Sequence, residues 1–500
     1  MECRKREHSM MFSQSVATIS RPLPSRTPTP LCVDLDGTLV ATDTLWESLL
    51  KICRHSPAAL PSVLLAIFRG KPHFKSVVAR NVSLDMDRLP YRPDLLRYLR
   101  EQKEAGRKLV LVTAAHHTIA NAAAVHLSGL FDEVFATTED RNLHGRIKEQ
   151  LLTEKFGEGG FTYVGNCASD LAVWRHAAAA IPVSARPRVI AGIPTPIEAT
   201  FRTPRHWLRT LSRAVRMHQW IKNLLVLVPL FTSRDVLNLV ALAKLLVVAL
   251  ALSLVASAQY LLNDLIDLDS DREHFEKRRR PLASGDLPIP LGVLLIPCLL
   301  SLGSWLGFLV GSQMVLMLLG GYFIFSVLYS TVLKTKPLVD VFALAGLYVY
   351  RIVVGGFVSN HLVTAWLFSF SFLCFLSLGF LKRCIELARA SQAAPKRVGR
   401  RGYYPADAAI LTVMGVGGSF ASIVVLALYV YSESANTLYR HPFALWGFVP
   451  ICLLVQCRWW LSASRSYIKE DPVRYAITDR VLWVSAVIGV ACYWVAIRGA

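Results

Sequence analysis

The stretch Asn263-Asp264-Leu265-Ile266-Asp267-Leu268-Asp269-Ser270-Asp271 stands at the end of an apolar run covering about 237–262. On a helix, Asp264, Asp267 and Asp271 follow i, i+3, i+7 spacing and line one face. Three carboxylates on one face repel each other unless a cation sits among them. Oxygen ligands of this kind suit Mg2+, which is usually held by one or two carboxylates together with substrate phosphates. Asn263 adds a neutral ligand or donor, whereas Asp269 points to another face. Carboxylates near membrane depth are costly and mark sites; the plain alternative is a solvated acidic loop beside a helix. Basic residues follow at once: His274, Lys277, Arg278, Arg279 and Arg280, then Pro281 and the turn Ala283-Ser284-Gly285. Acids for a metal, then cations for phosphate oxygens, form the pairing a diphosphate requires. The same cations also fit anchoring at a cytoplasmic membrane face.

Outward from this stretch the chain is apolar. Hydrophobic residues make up 53% of its 500 positions and charged ones 18%, a balance that points to membrane spans. Nine apolar runs are read at about 208–232, 237–262, 289–311, 313–333, 338–358, 362–381, 407–431, 443–458 and 481–497. Only helices close their backbone hydrogen bonds within such spans, so this half is expected to be an all-α bundle of about nine transmembrane helices. One set of loops carries Arg272, Lys277, Arg278, Arg279, Arg280, Lys334, Lys336, Lys382, Arg383, Arg389, Lys396, Arg397, Arg400, Arg401, Arg458, Arg465, Lys469, Arg474 and Arg480. The other set carries only Arg234 and Arg440. That bias places the first set, and the N-terminal half with it, in the cytoplasm, and the C-terminus outside if all nine runs span. The net charge of +20 then reads as attraction to anionic lipid. Nucleic acid is not expected as a partner, because the cations sit in short loops between apolar runs. The ten cysteines are scattered without a CxxC pair and read as small buried hydrophobes in a reducing compartment.

Before about residue 200 the pattern changes. Residues 1–28 are basic, rich in Ser, Thr and Pro, and lack an apolar signal core, which predicts a disordered leader. In 29–195 the apolar runs are strand length (31–33, 109–112, 161–164), with helical stretches at 93–105 and 148–156 between them. This alternation predicts a parallel α/β sheet. Residues 196–205 read as a linker to the membrane half, 206–500. After the first strand stands Asp34-Leu35-Asp36-Gly37-Thr38-Leu39. A carboxylate attacking phosphorus needs a metal to suppress charge repulsion and a second acid to protonate the leaving oxygen; Asp34 and Asp36 supply both.

This segment resembles the haloacid dehalogenase (HAD) phosphatase superfamily, an α/β fold with a small helical cap. The resemblance implies Asp34 as nucleophile and metal ligand, and Asp36 as acid/base. It implies Thr113 and Lys148 as phosphate-binding groups, and Asp170 as a further metal ligand. Asn166 stands in the motif Gly165-Asn166-Cys167-Ala168-Ser169-Asp170 where the family usually has Asp, which lowers the charge on the metal site. The cap falls between Thr44 and Asn81, and its run 60–68 is apolar enough to touch a membrane.

In the membrane half, Asn263-Asp264-x-x-Asp267-x-x-x-Asp271 followed by Arg280-Pro281-Leu282-Ala283-Ser284-Gly285 resembles the first aspartate motif of the UbiA superfamily of intramembrane prenyltransferases. Arg216-Met217-His218-Gln219-Trp220-Ile221-Lys222-Asn223 resembles its first-helix signature. The resemblance implies a helical bundle binding Mg2+ and a diphosphate. Members that prenylate aromatic rings carry a second acid-rich motif; the corresponding stretch here has one aspartate, Asp340. With Arg351, Lys382, Arg383 and Glu386, this is more similar to the decaprenyl-phosphate phosphoribosyltransferase branch. That branch implies phosphoribosyl diphosphate (PRPP) as donor and polyprenyl phosphate as acceptor. Two phosphorylated substrates call for more cations, and Lys222, Lys277, Lys334, Arg351, Lys382 and Arg383 are the candidates. Two alternatives stand beside it: transfer of a prenyl chain from a prenyl diphosphate to an aromatic acceptor, and a transporter with a regulatory soluble module.

Overall fold

A computed structural model of the chain describes residues 16–19, 29–202, 206–235, 237–391, 402–468, 475 and 478–498. Most of the expected leader lies outside them, as do the loop cations Lys396, Arg397, Arg400, Arg401, Lys469 and Arg474. The chain divides into two compact units. One comprises Met1–Val215 with Tyr260–Ile296, the other Arg216–Gln259 with Pro297–Ala500. The aspartate-bearing segment therefore packs with the α/β half, across the boundary that composition alone draws near residue 200.

In the first unit, β1 (Val16–Ile19) pairs antiparallel with β7 (Ala199–Arg202). These two strands lie in stretches read from the sequence as leader and linker. The main sheet has the order β4-β3-β2-β5-β6, built from β2 (Leu31–Val33), β3 (Leu109–His116), β4 (Glu133–Thr137), β5 (Thr162–Gly165) and β6 (Ala179–Pro182), all parallel. The alternation of side chains along a strand sorts the core into two layers. Leu31, Val33 and Leu111 pack with Leu95, Leu99 and Ile119 on one face. Cys32, Val110 and Val112 pack with Leu152, Tyr163 and Trp174 on the other. The cap consists of helices Thr44–His55, Leu60–Ala66 and Lys71–Arg80. Asp43 caps the first, its carboxylate accepting from the Leu45 and Trp46 amides, so the cap begins at a fixed point directly after the Asp34–Asp36 loop.

Among the described residues eight helices are long and apolar enough to cross a membrane: Leu239–Ile266, Ile289–Leu309, Gln313–Thr335, Val339–Ser359, Ala365–Arg389, Pro405–Tyr431, Pro442–Ser464 and Arg480–Ile497. The ninth expected run, 208–232, is not one helix. It is split into Trp207–Ala214, a 3-10 segment Met217–Leu227 and Val228–Thr232. Arg216 adopts a left-handed backbone conformation, φ 53°, which ends the first piece, and Pro229 brings no N–H to the last. In the second unit Val341, Ala345, Leu376, Phe380 and Leu411 share one core cluster.

Candidate functional site

Two groups of chemistry-bearing side chains lie in the first unit. The first surrounds the end of β2, where parallel-sheet topology gathers loops at the carboxyl edge. Lys148, delivered by helix Arg146–Phe156, donates from Nζ to Asp34 Oδ1 at 2.9 Å and to the Tyr163 hydroxyl at 2.9 Å. Tyr163 in turn donates to Asp170 Oδ1 at 3.1 Å. Asp34, Lys148, Tyr163 and Asp170 are all buried, so this is a closed chain of charge-assisted hydrogen bonds in low dielectric. Burial pushes the Asp34 carboxyl up, Lys148 pulls it down and Asp170 raises it again, leaving it at about 6. Asp36 accepts from the Thr44 amide at 2.8 Å. Burial, with the neighbouring charge of Asp43, pushes it up to about 8. Thr113 is buried at β3, where its hydroxyl accepts from the Ala115 amide at 3.0 Å.

Asp170, which the resemblance implies as a metal ligand, is buried at the end of this chain of hydrogen bonds. Its Oδ2 accepts from the amides of Asn166 and Cys167 at 2.9 and 3.0 Å, and its Oδ1 takes the Tyr163 hydroxyl. It organises the turn that carries Asn166. Asn166 lies against Gly37: a Cβ built on Gly37 would come within 2.2 Å of Asn166 Nδ2, and Gly37 has φ +71°. The Asp-x-Asp-Gly loop thus needs glycine on two counts, close approach and backbone hand. The donor set that the resemblance implies for a divalent cation here is Asp34 and Asp170 with the neutral Asn166, hard oxygen ligands that fit Mg2+ with less charge than a third carboxylate would supply.

The second group is the aspartate segment. Helix Leu239–Ile266 stops at Asp267 (φ −94°, ψ 12°), and Leu268–Glu273 continues. Asp264 and Asp271 are both buried, and one guanidinium closes on both: Arg280 Nη1 lies 3.0 Å from Asp264 and 2.6 Å from Asp271. Burial raises the Asp271 carboxyl and Arg280 opposes that, with a net rise. Asp264 and Asp271 meet at this guanidinium, and Asp267 is half-buried between them in sequence. Among the described residues no group of three His, Cys, Asp or Glu stands close enough together to hold a metal ion. Helical hydrogen bonding continues across Asp267: its amide donates to the Asn263 carbonyl and the Asp271 amide donates to the Asp267 carbonyl, both at 2.9 Å. Two buried carboxylates remain a donor set that Mg2+ accepts alongside phosphate oxygens. Asn263 is half-buried, and Lys277 is exposed on a 3-10 turn.

Three ion pairs hold this segment, two to the cap and one to the turn Met86–Arg88 that follows it. Arg272, next to Asp271, reaches Glu47 of helix Thr44–His55 at 2.6 Å, with both side chains buried. Arg54 approaches Asp269 at 3.7 Å, and Arg88 pairs with Glu273 at 2.7 Å. Gly285 (φ +77°) sits so close to Ala41 that a Cβ would come within 2.5 Å of its carbonyl oxygen. The loop after the aspartates is thereby pressed onto the chain leaving Asp36. Nothing in the sequence signals these contacts.

In the second unit the predicted cations divide. Arg383 is buried, donating to Asp340 Oδ2 and Glu386 at 2.6 Å each, while Tyr403 donates to Asp340 Oδ1 at 2.6 Å. Arg351 is buried on Asn223 Oδ1 at 2.7 Å and the Tyr322 hydroxyl at 2.6 Å. Asn223 itself donates to Ser253 at 2.9 Å. Asp340, Arg351 and Arg383 therefore satisfy each other or protein partners, as charges inside an apolar bundle must. Lys222, Lys334 and Lys382 are half-buried.

Comparison with known proteins bears on both halves. A profile of the UbiA prenyltransferase family matches residues 227–496, and one of the haloacid dehalogenase-like hydrolases matches residues 31–175. The chain is 35% identical over 469 residues to the protein y4nM of Sinorhizobium fredii, covering 91% of this chain and 88% of that one. It is 26% identical over 301 residues to the decaprenyl-phosphate phosphoribosyltransferase of Corynebacterium glutamicum, covering 59% and 88%. Among solved structures, a UbiA homolog from Archaeoglobus fulgidus bound to GPP and Mg2+ is 14% identical with a TM-score of 0.42, covering 57% of this chain and 99% of that one. The chain belongs to the UbiA prenyltransferase family, as an integral membrane protein with a HAD-like domain ahead of its membrane helices.

Proposed function

We propose that the membrane half is an Mg2+-dependent transferase that moves 5-phosphoribose from PRPP to a polyprenyl phosphate. The observation that carries this reading is the fate of the lone second-motif acid. Asp340 is fully buried and both its oxygens are taken by Arg383 and Tyr403. It supports the bundle rather than offering the second acidic site expected for prenylation of aromatic rings. The relatives named decaprenyl-phosphate phosphoribosyltransferase favour the same subtype.

In this reading Asp264 and Asp271, with Asp267 beside them, would hold Mg2+, which supplies charge neutralisation to a diphosphate. Arg280 bridges the two buried carboxylates and stands ready to exchange one of them for a phosphate oxygen as substrate enters. The bond from ribose C1 to the diphosphate oxygen breaks with its electron pair going to the diphosphate. An oxygen of the lipid phosphate then forms the new bond to C1. Lys222, Lys277, Lys334 and Lys382 are kept as contacts for phosphate oxygens, each to be tested by its effect on KM. The HAD-like domain, cytoplasmic by the loop-charge bias, is proposed to remove the 5-phosphate. Asp34 attacks phosphorus, Asp36 gives its proton to the leaving ribose oxygen, and water assisted by Asp36 then frees Asp34. Lys148 on Asp34 and Thr113 would receive the phosphate.

Purified full-length protein incubated with Mg2+, PRPP and polyprenyl phosphate should give lipid-linked ribose by mass spectrometry. Asp34→Asn should stop the reaction at the 5-phosphorylated lipid. Product from a prenyl diphosphate and an aromatic acceptor, with none from PRPP, would replace this reading with the prenyl-transfer one. Fully dephosphorylated product from Asp34→Asn would uncouple the two domains.

A further inference from the structure

One part of the cap has no role in either centre. Residues Pro57–Arg69 form a short apolar helical segment. Its Val63 is buried and packs with Ile52 and Val78 in the cap's own core, and Ala66 is buried beside it. Its outer face presents Leu64, Leu65, Ile67 and Phe68, which are 58%, 67%, 53% and 88% exposed. Isolated exposed apolar side chains are ordinary, but four large ones within five positions are the kind of patch that marks an interaction surface.

The charge around it has one sign. Residues 48–84 contain Lys51, Arg54, Arg69, Lys71, Lys75 and Arg80 and no Asp or Glu. Four of these cations have partners inside the unit. Lys51 donates to the Ser83 carbonyl, Arg54 approaches Asp269, Lys75 donates to Ala114 and Asn142, and Arg80 pairs with Glu139. Arg69 and Lys71 are exposed at the end of the apolar patch and make no ion pair among the described residues. An apolar face bordered by unneutralised cations is the pattern of a helix lying in a membrane interface. The same compact unit includes residues 260–266 and 289–296, the ends of two apolar helices, so it is tethered at a bilayer surface whatever else it binds.

We propose that Pro57–Arg69 is a membrane-surface anchor. Leu64, Leu65, Ile67 and Phe68 enter the boundary between headgroups and acyl chains of an anionic leaflet, and Arg69 and Lys71 sit on lipid phosphates. The inference rests on exposure and charge, not on the reaction assigned to either centre.

The test uses full-length protein reconstituted in phosphatidylcholine–phosphatidylglycerol vesicles that carry a photoactivatable diazirine on the acyl chain. After irradiation and digestion, lipid adducts are expected on the peptide covering 57–69 as well as on the apolar helices. Leu65→Ser with Phe68→Ser should abolish the adducts on that peptide while those on the apolar helices persist, which shows the protein still inserted. Arg69→Glu with Lys71→Glu, or vesicles of phosphatidylcholine alone, should lower the yield on 57–69 severalfold. Adducts confined to the apolar helices would overturn the proposal, as would a yield on 57–69 indifferent to anionic lipid. Cross-linking of this segment to a second protein copy in place of lipid would overturn it too.

Discussion

Asn166 illustrates how one atom changes a site. It puts a neutral amide where the family resemblance implies a carboxylate, and it is wedged against Gly37. Asn166→Asp should restore the missing charge and lower the Mg2+ concentration needed for half-maximal phosphatase activity by about tenfold, measured on a soluble phosphate ester. An unchanged Mg2+ dependence would show that this position does not contribute to metal binding. The Asp34–Asp36 pair stands out in the sequence because a short apolar strand ending in Asp-x-Asp-Gly has few other uses; Lys148 comes only through the family resemblance, and the structure sets its Nζ on Asp34. Tyr163 does not stand out, since a tyrosine within a strand reads as core; only its hydroxyl, set between Lys148 and Asp170, gives it a part in the site. Arg280 reads from the sequence as a candidate cation for phosphate; its grip on Asp264 and Asp271 depends on how the intervening loop closes.

At the scale of elements, helix Thr44–His55 links two centres. Its first amide binds Asp36, and its Glu47 binds Arg272 beside Asp271. Removing one partner of a buried pair strands the other charge, at a cost of about 3–5 kcal/mol. Glu47→Arg should therefore loosen Leu268–Glu273, read as faster hydrogen exchange, and lower transferase activity. The double exchange Glu47→Arg/Arg272→Glu should recover much of both. A second element-level prediction concerns Glu198, just before β7. Burial raises its carboxyl, but Arg107, Tyr98 and Thr162 donate to it and hold it below its ordinary value overall. Because the folded value is depressed, its contribution is present above the ordinary carboxylate pKa and is lost as pH falls through the folded value. Glu198→Gln should cost about 1–2 kcal/mol at pH 7, with the gap to wild type closing below about pH 4, followed by proteolysis of the α/β unit in the full chain. Strands β2, β3 and β5 were visible as apolar runs. β6 was not, because Ala179-Ala180-Ile181-Pro182 follows two further alanines, Ala177 and Ala178, and has one large apolar side chain, too few to stand out as an apolar run. Likewise no period in a single sequence reveals that Glu47 and Arg272 meet.

For the whole molecule, composition and run length made the two-part architecture and the membrane helices plain, because covering ~20 residues of hydrocarbon leaves an unmistakable pattern. The first run failed as a single helix because backbone hand at Arg216 and the proline at 229 are local features that hydropathy averages away. The division into compact units was also beyond the sequence: the aspartate segment packs with the α/β half through long-range ion pairs and the Gly285 contact. What joins these scales is the pair of buried carboxylates held by Arg280. Titration calorimetry of the purified full-length protein with PRPP, with and without Mg2+, addresses it directly. Saturable binding that requires Mg2+ and is lost in Asp264→Asn and in Asp271→Asn is expected. Binding of equal strength without Mg2+, or undiminished in both variants, would contradict a metal–diphosphate site at these aspartates.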